Sequence, residues 1–119
     1  MRALRGAVVI REDTSEEVAS QVEALLRESF ARNGVATEDL VSILFTATDD
    51  IHSAFPAQAA RQRLGLGDVP LLCARELNIE GALPGVIRML AHFYTDRARH
   101  EIEHVYLGSA TALRPDLDV

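Results

Sequence analysis

The chain has 119 residues, a net charge of −6 and a single cysteine. This length predicts one domain spanning residues 1–119, and the negative charge argues against nucleic acid or an anionic membrane as a partner. A lone cysteine cannot form an internal disulfide, so a reducing, cytoplasmic compartment is expected. No apolar run approaches the ~20 residues of a membrane span, and no signal peptide precedes the first strand-like segment.

The first third of the chain predicts a strand followed by a helix. Residues 4–10 are apolar and β-branched, which is typical of a strand. Asp13 or Thr14 can cap the helix that follows, and Thr14 with Glu17 three residues later has the pattern of a capping box. Apolar residues then recur at helical spacing until Asn33 and Gly34 end the helix.

The middle of the chain predicts a second strand, a short helix and a third strand. Residues 40–48 form the second strand, and its continuous apolar character predicts burial on both faces. Residues 57–64 form the short helix, which follows Phe55 and Pro56 and ends at two nearby glycines. Residues 69–75 form the third strand, and Glu76 directly follows it.

The last third predicts a third helix over residues 83–94, then a charged turn and a fourth strand over residues 105–107. Residues 110–113 extend this strand or pair nearby. Strands and helices that alternate in this way predict helices packed on a mixed or parallel sheet.

Arg88 is the only charged residue in the apolar stretch from residue 83 to residue 94. A guanidinium group does not lose its proton, so it must either reach water or meet an anion. Because a carboxylate, Glu76, follows the preceding strand, the pair suggests a pocket for a small polar anion. The alternative is an ordinary boundary arginine whose end extends into water, and this residue alone does not decide between the two.

Neither a metal nor a cofactor is expected. His100 and His104 match the H-E-x-x-H pattern of zinc proteases, but a strand begins directly after His104 and no third histidine follows. Asp49 and Asp50 end a strand, where paired acids usually form a turn. Cys73 lies within an apolar strand, where a cysteine usually belongs to the core.

Sequence motifs at characteristic positions extend along nearly the whole chain. They are Arg5-Gly6-Ala7, Thr46-Ala47-Thr48-Asp49 with His52, Phe55-Pro56-Ala57 with Arg61, Val69-Pro70 with Cys73 and Glu76, Arg88, His104-Val105-Tyr106-Leu107, and Leu113-Arg114-Pro115-Asp116-Leu117. In this order and spacing, the set resembles the monofunctional, trimeric class of chorismate mutase.

The resemblance implies a Claisen rearrangement of chorismate to prephenate, on the route to phenylalanine and tyrosine, without a cofactor, a metal or a covalent intermediate. It also implies an α/β fold of the α+β, ferredoxin-like kind, in which a mixed sheet carries helices on one face. Three such subunits would form a pseudo-α/β barrel with active sites at the subunit interfaces.

The resemblance also assigns roles to individual residues. Arg88 would stabilise the charge that develops on the ether oxygen, and Glu76 would accept a hydrogen bond from the substrate hydroxyl. Arg5 and Tyr106 would hold a carboxylate, and Arg61 would come from the neighbouring subunit. The remaining substrate-binding positions are Phe55, Ala57, Gln58, Leu72, Cys73, Ala74, Arg75 and Leu113.

Two features depart from the family pattern. Gln58 stands where some relatives carry lysine, so weaker attraction of the dianionic substrate is expected. The C-terminal segment, residues 114–119, is short, and any closure of this tail over the site must use little length.

Two other functions are compatible with the sequence: a trimeric imine or enamine deaminase of similar architecture, and a ferredoxin-like regulatory module that binds an amino acid.

Overall fold

The structure is a computed structural model that describes residues 1–114 of the chain. Its strands are β1 (Arg2–Val9), β2 (Leu40–Ala47), β3 (Leu71–Arg75), β4 (Val86–Phe93) and β5 (Val105–Tyr106), and its helices are α1 (Ser15–Asn33) and α2 (Pro56–Leu64). Short 3-10 helical turns occupy Thr37–Asp39, Arg99–Glu101 and Gly108–Leu113. Residues 115–119, which include most of the expected C-terminal closure, lie outside the described residues.

The five strands form one sheet in the order β3-β2-β4-β1-β5. Strand β4 is antiparallel to both β1 and β2, whereas β5 runs parallel to β1 and β3 runs parallel to β2. Residues of α1 and α2 share one apolar cluster with residues of β1, β2 and β4, so both helices cover the same face of the sheet. The expectation of a mixed sheet with helices on one face is therefore confirmed.

Helix α1 begins and ends where the sequence indicates. The hydroxyl Oγ1 of Thr14 accepts a hydrogen bond from the backbone N–H of Glu17 at 3.1 Å, and Gly34 ends the helix in the left-handed conformation, with φ of 62°. Only half of the predicted capping box forms, because the Glu17 carboxylate accepts from the backbone N–H of Arg11 instead. The caps satisfy backbone groups that the helix itself leaves unpaired.

The predicted third helix over residues 83–94 is wrong, because this segment forms strand β4. Its side chains alternate between the two faces, and the four that point towards the helices are buried: Ile87, Met89, Ala91 and Phe93. Apolar residues at the intervening positions, such as Leu90, hide this two-residue period and produce an apparent helical stripe. Residues 110–113 are also not a strand, since they belong to the last 3-10 turn.

The face of the sheet opposite the helices, here called the open face, carries Arg5, Leu44, Thr46, Leu72, Arg88 and Leu90. Leu72 is 59% exposed and Leu44 is 37% exposed. The expectation that β2 is buried on both faces is therefore wrong for the single chain. The last 3-10 turn covers only one end of this face, where Ala110 packs with Ala7 and Tyr106. Residues 1–114 thus leave an apolar row across neighbouring strands without a covering layer.

Gly6 on β1 lies so close to its neighbours that no side chain fits without a movement. A Cβ atom at this position would lie 2.8 Å from the carbonyl oxygen of Val105 and 2.9 Å from Cδ1 of Leu25. We expect Gly6→Ala to lower the free energy of unfolding by about 1–3 kcal/mol, because β5 or α1 must move. Gly67→Ala is the matched control, since its Cβ would meet nothing within 4 Å. Urea unfolding at fixed protein concentration measures both, and equal stability of the two variants would contradict the prediction.

Candidate active site

Arg88 lies on the open face at the centre of the sheet. Its cross-strand neighbours are Ala7 on β1 and Thr46 on β2, both of which are small. Small neighbours leave room for the guanidinium group, and the Arg88 side chain is 40% exposed. The arginine that the sequence singled out therefore occupies a half-exposed position on a strand, with its charge directed away from the core.

Glu76 meets Arg88 across the end of the sheet. Its backbone N–H donates to the carbonyl of Ala47 at 3.0 Å, which continues the pairing of β3 with β2 by one residue. The carboxylate oxygen Oε2 lies 3.2 Å from Nε of Arg88 and accepts a hydrogen bond from Oγ1 of Thr46 at 2.6 Å. The strand-end carboxylate and the isolated arginine are therefore brought together, as the sequence suggested.

Arg5 lies on the same face, two positions along β1 from the residue that pairs with Arg88. Its backbone N–H donates to Nδ1 of His104 at 3.0 Å. Burial, and then the positive charges of Arg5 and Arg114, lower the pKa of His104 below its ordinary value. The ring is therefore neutral near pH 7, and its acceptor nitrogen helps to fix the strand that carries Arg5.

Tyr106 and Leu113 lie at the β5 end of the open face. Tyr106 pairs with Ala7 across the parallel strands and is only 5% exposed. Leu113 is half-buried and packs against the same small cluster as Ala110. These two residues therefore border the Arg88 side of the sheet at the edge opposite Glu76.

Several other predicted substrate-binding residues surround a cleft of about 530 Å³ between β3 and the segment that leads into α2. The predicted residues in its lining are Phe55, Gln58, Cys73, Ala74 and Arg75. Phe55 is 69% exposed, whereas Arg75 forms an ion pair with Asp49 at 3.0 Å. Ala57 is buried in the core, so its side chain does not form a wall of this cleft. Arg61 is exposed on α2.

Within one chain, the predicted site residues thus form two groups. One group lines the cleft beside β3, and the other contains Arg5 and Arg88 on the open face. Arg5 lines a different cleft, of about 380 Å³, and within residues 1–114 no residue lines both clefts. Cys73 faces the helices, whereas its neighbours Leu72 and Ala74 face the open side, so β3 contributes predicted residues to both faces of the sheet. One chain alone does not place all the predicted residues around one ligand.

Two residues near the site have roles that the sequence did not reveal. Thr46 belongs to a motif, but only the sheet register brings its hydroxyl to Glu76. The Asp13 carboxylate accepts from the backbone N–H groups of His52 and Ser53 at 2.8 and 3.1 Å, which anchors the segment before α2. Interaction with Ser53, followed by the N–H of His52, lowers the pKa of Asp13. The sequence offers Asp13 or Thr14 as the cap of α1. In the structure Thr14 caps the helix, and Asp13 holds the segment before α2.

Within residues 1–114, no group of three or more histidine, cysteine or acidic side chains is arranged to hold a metal ion. His100 is exposed in a 3-10 turn, whereas His104 accepts from Arg5. In the same part of the chain, no helix has the length and apolar character required to cross a membrane.

A mixed sheet with two helices on one face and an Arg–Glu pair on the other defines an α+β protein with a site suited to a polar anion. The family model described as chorismate mutase type I matches residues 1–117, and the chain belongs to this family. Membership makes it a chorismate mutase, an enzyme of the isomerase class, and decides against the deaminase and regulatory alternatives.

Known proteins that are similar to this chain align with it over nearly its full length. Chorismate mutase AroH of Thermus thermophilus is 46% identical over an alignment of 119 positions that covers 99% of this chain and 97% of that protein. Chorismate mutase AroH of Bacillus subtilis is 38% identical, over 100% of this chain and 94% of that protein. A chorismate mutase structure from Clostridium thermocellum superimposes with a TM-score of 0.91 and 38% identity, covering 94% of this chain and 99% of that one.

The lowered pKa of His104 predicts a loss of stability in mild acid. Because the folded-state pKa lies below the unfolded value of about 6.5, the unfolded chain binds the proton first. The contribution of His104 to the free energy of unfolding is complete above the unfolded-state pKa and is lost as the pH falls through the folded-state pKa. We expect His104→Asn, which keeps an acceptor near Nδ1 but does not titrate, to lose less stability than the native chain between pH 7 and pH 5.

Chemical unfolding at a series of pH values measures this difference. His100→Asn is the control, because His100 is exposed and lies four residues earlier in the chain. It should follow the native profile. Identical profiles for His104→Asn and the native chain would show that His104 does not cause the acid sensitivity.

Proposed function

We propose that the protein converts chorismate to prephenate on the route to phenylalanine and tyrosine, with Arg88 and Glu76 at the centre of the site. The observation that carries this proposal is the Arg88–Glu76 pair, with 3.2 Å between Nε and Oε2, on the open face of the sheet. In a chain of the type I chorismate mutase family, this pair offers a cation and a carboxylate side by side to a polar ligand.

The rearrangement breaks an ether C–O bond and forms a C–C bond within the same molecule, and negative charge grows on the ether oxygen as the C–O bond lengthens. Arg88 keeps its proton at any working pH, so it provides a permanent positive charge and N–H donors for that oxygen. A preorganised donor of this kind contributes about 3–4 kcal/mol to stabilising a transition state. Glu76 accepts a hydrogen bond from the substrate hydroxyl, which orients the ring relative to Arg88.

The second contribution is restriction of the substrate to its reactive conformer. Chorismate is a flexible dianion, and fixing its two carboxylates removes conformational freedom before the reaction begins. Arg5 lies on the same face as Arg88, and Tyr106 lies one strand further, so both are suited to a carboxylate. The reaction is unimolecular, and these side chains need form no covalent bond to the substrate.

The active unit that we propose is a homotrimer in which the open faces meet and the sites lie between subunits. Leu72, Leu44 and Leu90 form an apolar row across three strands, and an exposed row of this kind usually marks an interface. A neighbouring subunit would bring Phe55 and Arg61 towards Arg88, which joins the two groups that one chain keeps apart. We place this assembly in the cytoplasm, where the thiol of Cys73 stays reduced.

Gln58 has a consequence for substrate capture. It lines the cleft beside Phe55 and carries no charge. Where relatives have lysine, the rim of the site holds an additional cation that attracts the dianion over a distance of about 10 Å. Its absence is expected to weaken encounter with the substrate while leaving the chemical step at Arg88 intact.

Loss of chorismate absorbance on addition of the purified protein tests the proposed reaction directly. Arg88→Ala should lower kcat by at least about 100-fold while the fold is retained, since the variant loses the donor to the ether oxygen. Arg27→Ala is the control, because Arg27 is exposed on α1 and pairs with Glu23. An inactive native protein would refute the proposed function, and a nearly native Arg88→Ala variant would refute the role of Arg88.

The shared site predicts complementation between two defective subunits. We expect Arg61→Ala to raise KM more than it lowers kcat, because Arg61 would bind the substrate from the neighbouring chain. Co-refolding equal amounts of Arg61→Ala and Arg88→Ala chains restores both arginines in about a quarter of the sites of a randomly assembled ring. Activity at low chorismate should rise above the mean of the separate variants. An activity equal to the mean of the two separately refolded variants would indicate that each site is built within a single chain.

A further inference from the structure

The structure assigns Thr46 as a positioning residue that holds the Glu76 carboxylate and thereby keeps Arg88 available to the substrate. This inference rests on the proposed function of Arg88 and Glu76. Thr46 lies on the open face of β2, directly opposite Arg88 on β4 and Ala74 on β3. Its side chain therefore stands between the strand that carries the arginine and the strand that leads to the carboxylate.

The hydroxyl of Thr46, and not the guanidinium, forms the directional contact with Glu76. The Oγ1–Oε2 distance is 2.6 Å, which is typical of a hydrogen bond to an ionised acceptor. The same Oε2 atom lies 3.2 Å from Nε of Arg88, but within residues 1–114 that buried nitrogen has no partner with hydrogen-bond geometry. The ion pair is therefore loose, and the threonine fixes where the carboxylate points.

This arrangement divides the two oxygens of Glu76 between protein and substrate. Oε2 is occupied by Thr46 and lies beside Arg88, so Oε1 is the oxygen suited to accept from the substrate hydroxyl. The contact with Arg88 also involves Nε, while the terminal nitrogens of the guanidinium carry most of its five N–H donors. These terminal donors are the ones that would reach the ether oxygen.

Removal of the hydroxyl would release the carboxylate. A glutamate beside an arginine tends to form a two-bond, side-by-side pair, which is the strongest contact that the two groups make. In that pair both carboxylate oxygens and two guanidinium N–H groups would be used by the protein itself. Thr46 thus opposes closure of the pair, and its loss should affect the chemical step more than substrate binding.

Thr46→Val tests this inference, because valine keeps the β-branched shape and removes only the hydroxyl. We expect kcat to fall by about 10-fold or more while KM changes by less than about 3-fold. Thr46→Ser, which keeps the donor, should stay within about 3-fold of the native kcat. Ser42→Ala is the matched control, since Ser42 lies on the same face of β2 but its hydroxyl contacts His92 at 3.3 Å.

A double-variant cycle shows whether Thr46 acts through Glu76. In the Glu76→Ala background, adding Thr46→Val should change kcat by less than about 2-fold. If Thr46→Val lowers kcat in that background as much as in the native protein, the inference is overturned. A Thr46→Val variant with a kcat within 2-fold of native would also overturn it. So would a Thr46→Ser variant whose kcat is as low as that of Thr46→Val. Circular dichroism checks folding, and Thr46→Ala replaces the valine variant if the latter does not fold.

The two proposals fail in different ways. A native protein that does not convert chorismate refutes the proposed function, and the positioning role falls with it. If the native protein converts chorismate and the Thr46→Val variant is equally active, only the positioning role is refuted.

Discussion

The two-residue alternation of β4 is the constraint on which the rest of the structure depends. This strand pairs with β1 on one side and β2 on the other, so it forms the centre of the sheet. Its inward side chains complete the core, and burying each large apolar one contributes about 1.5–3 kcal/mol. A register shift of one residue would place Arg88 in that core, where an unpaired charge is very costly. Burial of one face therefore fixes the position of Arg88 on the other.

The same constraint explains why the fold is suited to an assembly. Two helices cover one face of the five-stranded sheet, and the described residues 1–114 form no third layer on the other. The open face combines a leucine row with Arg88, Glu76 and Arg5, so it has both the apolar area of an interface and the charges of a site. A small domain gains an enclosed site most simply by sharing it with a second copy of itself.

The local contacts around Glu76 fix the carboxylate beside Arg88 without a tight ion pair. A pair that is 40% and 26% exposed on its two sides adds little to stability. Thr46 holds the carboxylate and the carbonyl of Ala47 holds the backbone of Glu76, while the arginine stays partly in water. The arrangement leaves both charged groups on the open face, where we propose that the substrate binds.

The sequence by itself predicted the mixed sheet with helices on one face, the ends of α1, the position of α2 and the pairing of Glu76 with Arg88. These follow from local periodicity, capping chemistry and motif order, which act over a few residues. The sequence did not determine that Arg88 lies on a strand, because apolar residues on both faces of β4 imitate a helical stripe. Nor did it predict the open face of β2, the hydrogen bond from the Thr46 hydroxyl to Glu76, or the presence of predicted site residues in two separate clefts. Those were decided by the tertiary structure, since they depend on which strands pair and in which register, and pairing joins residues distant in the chain.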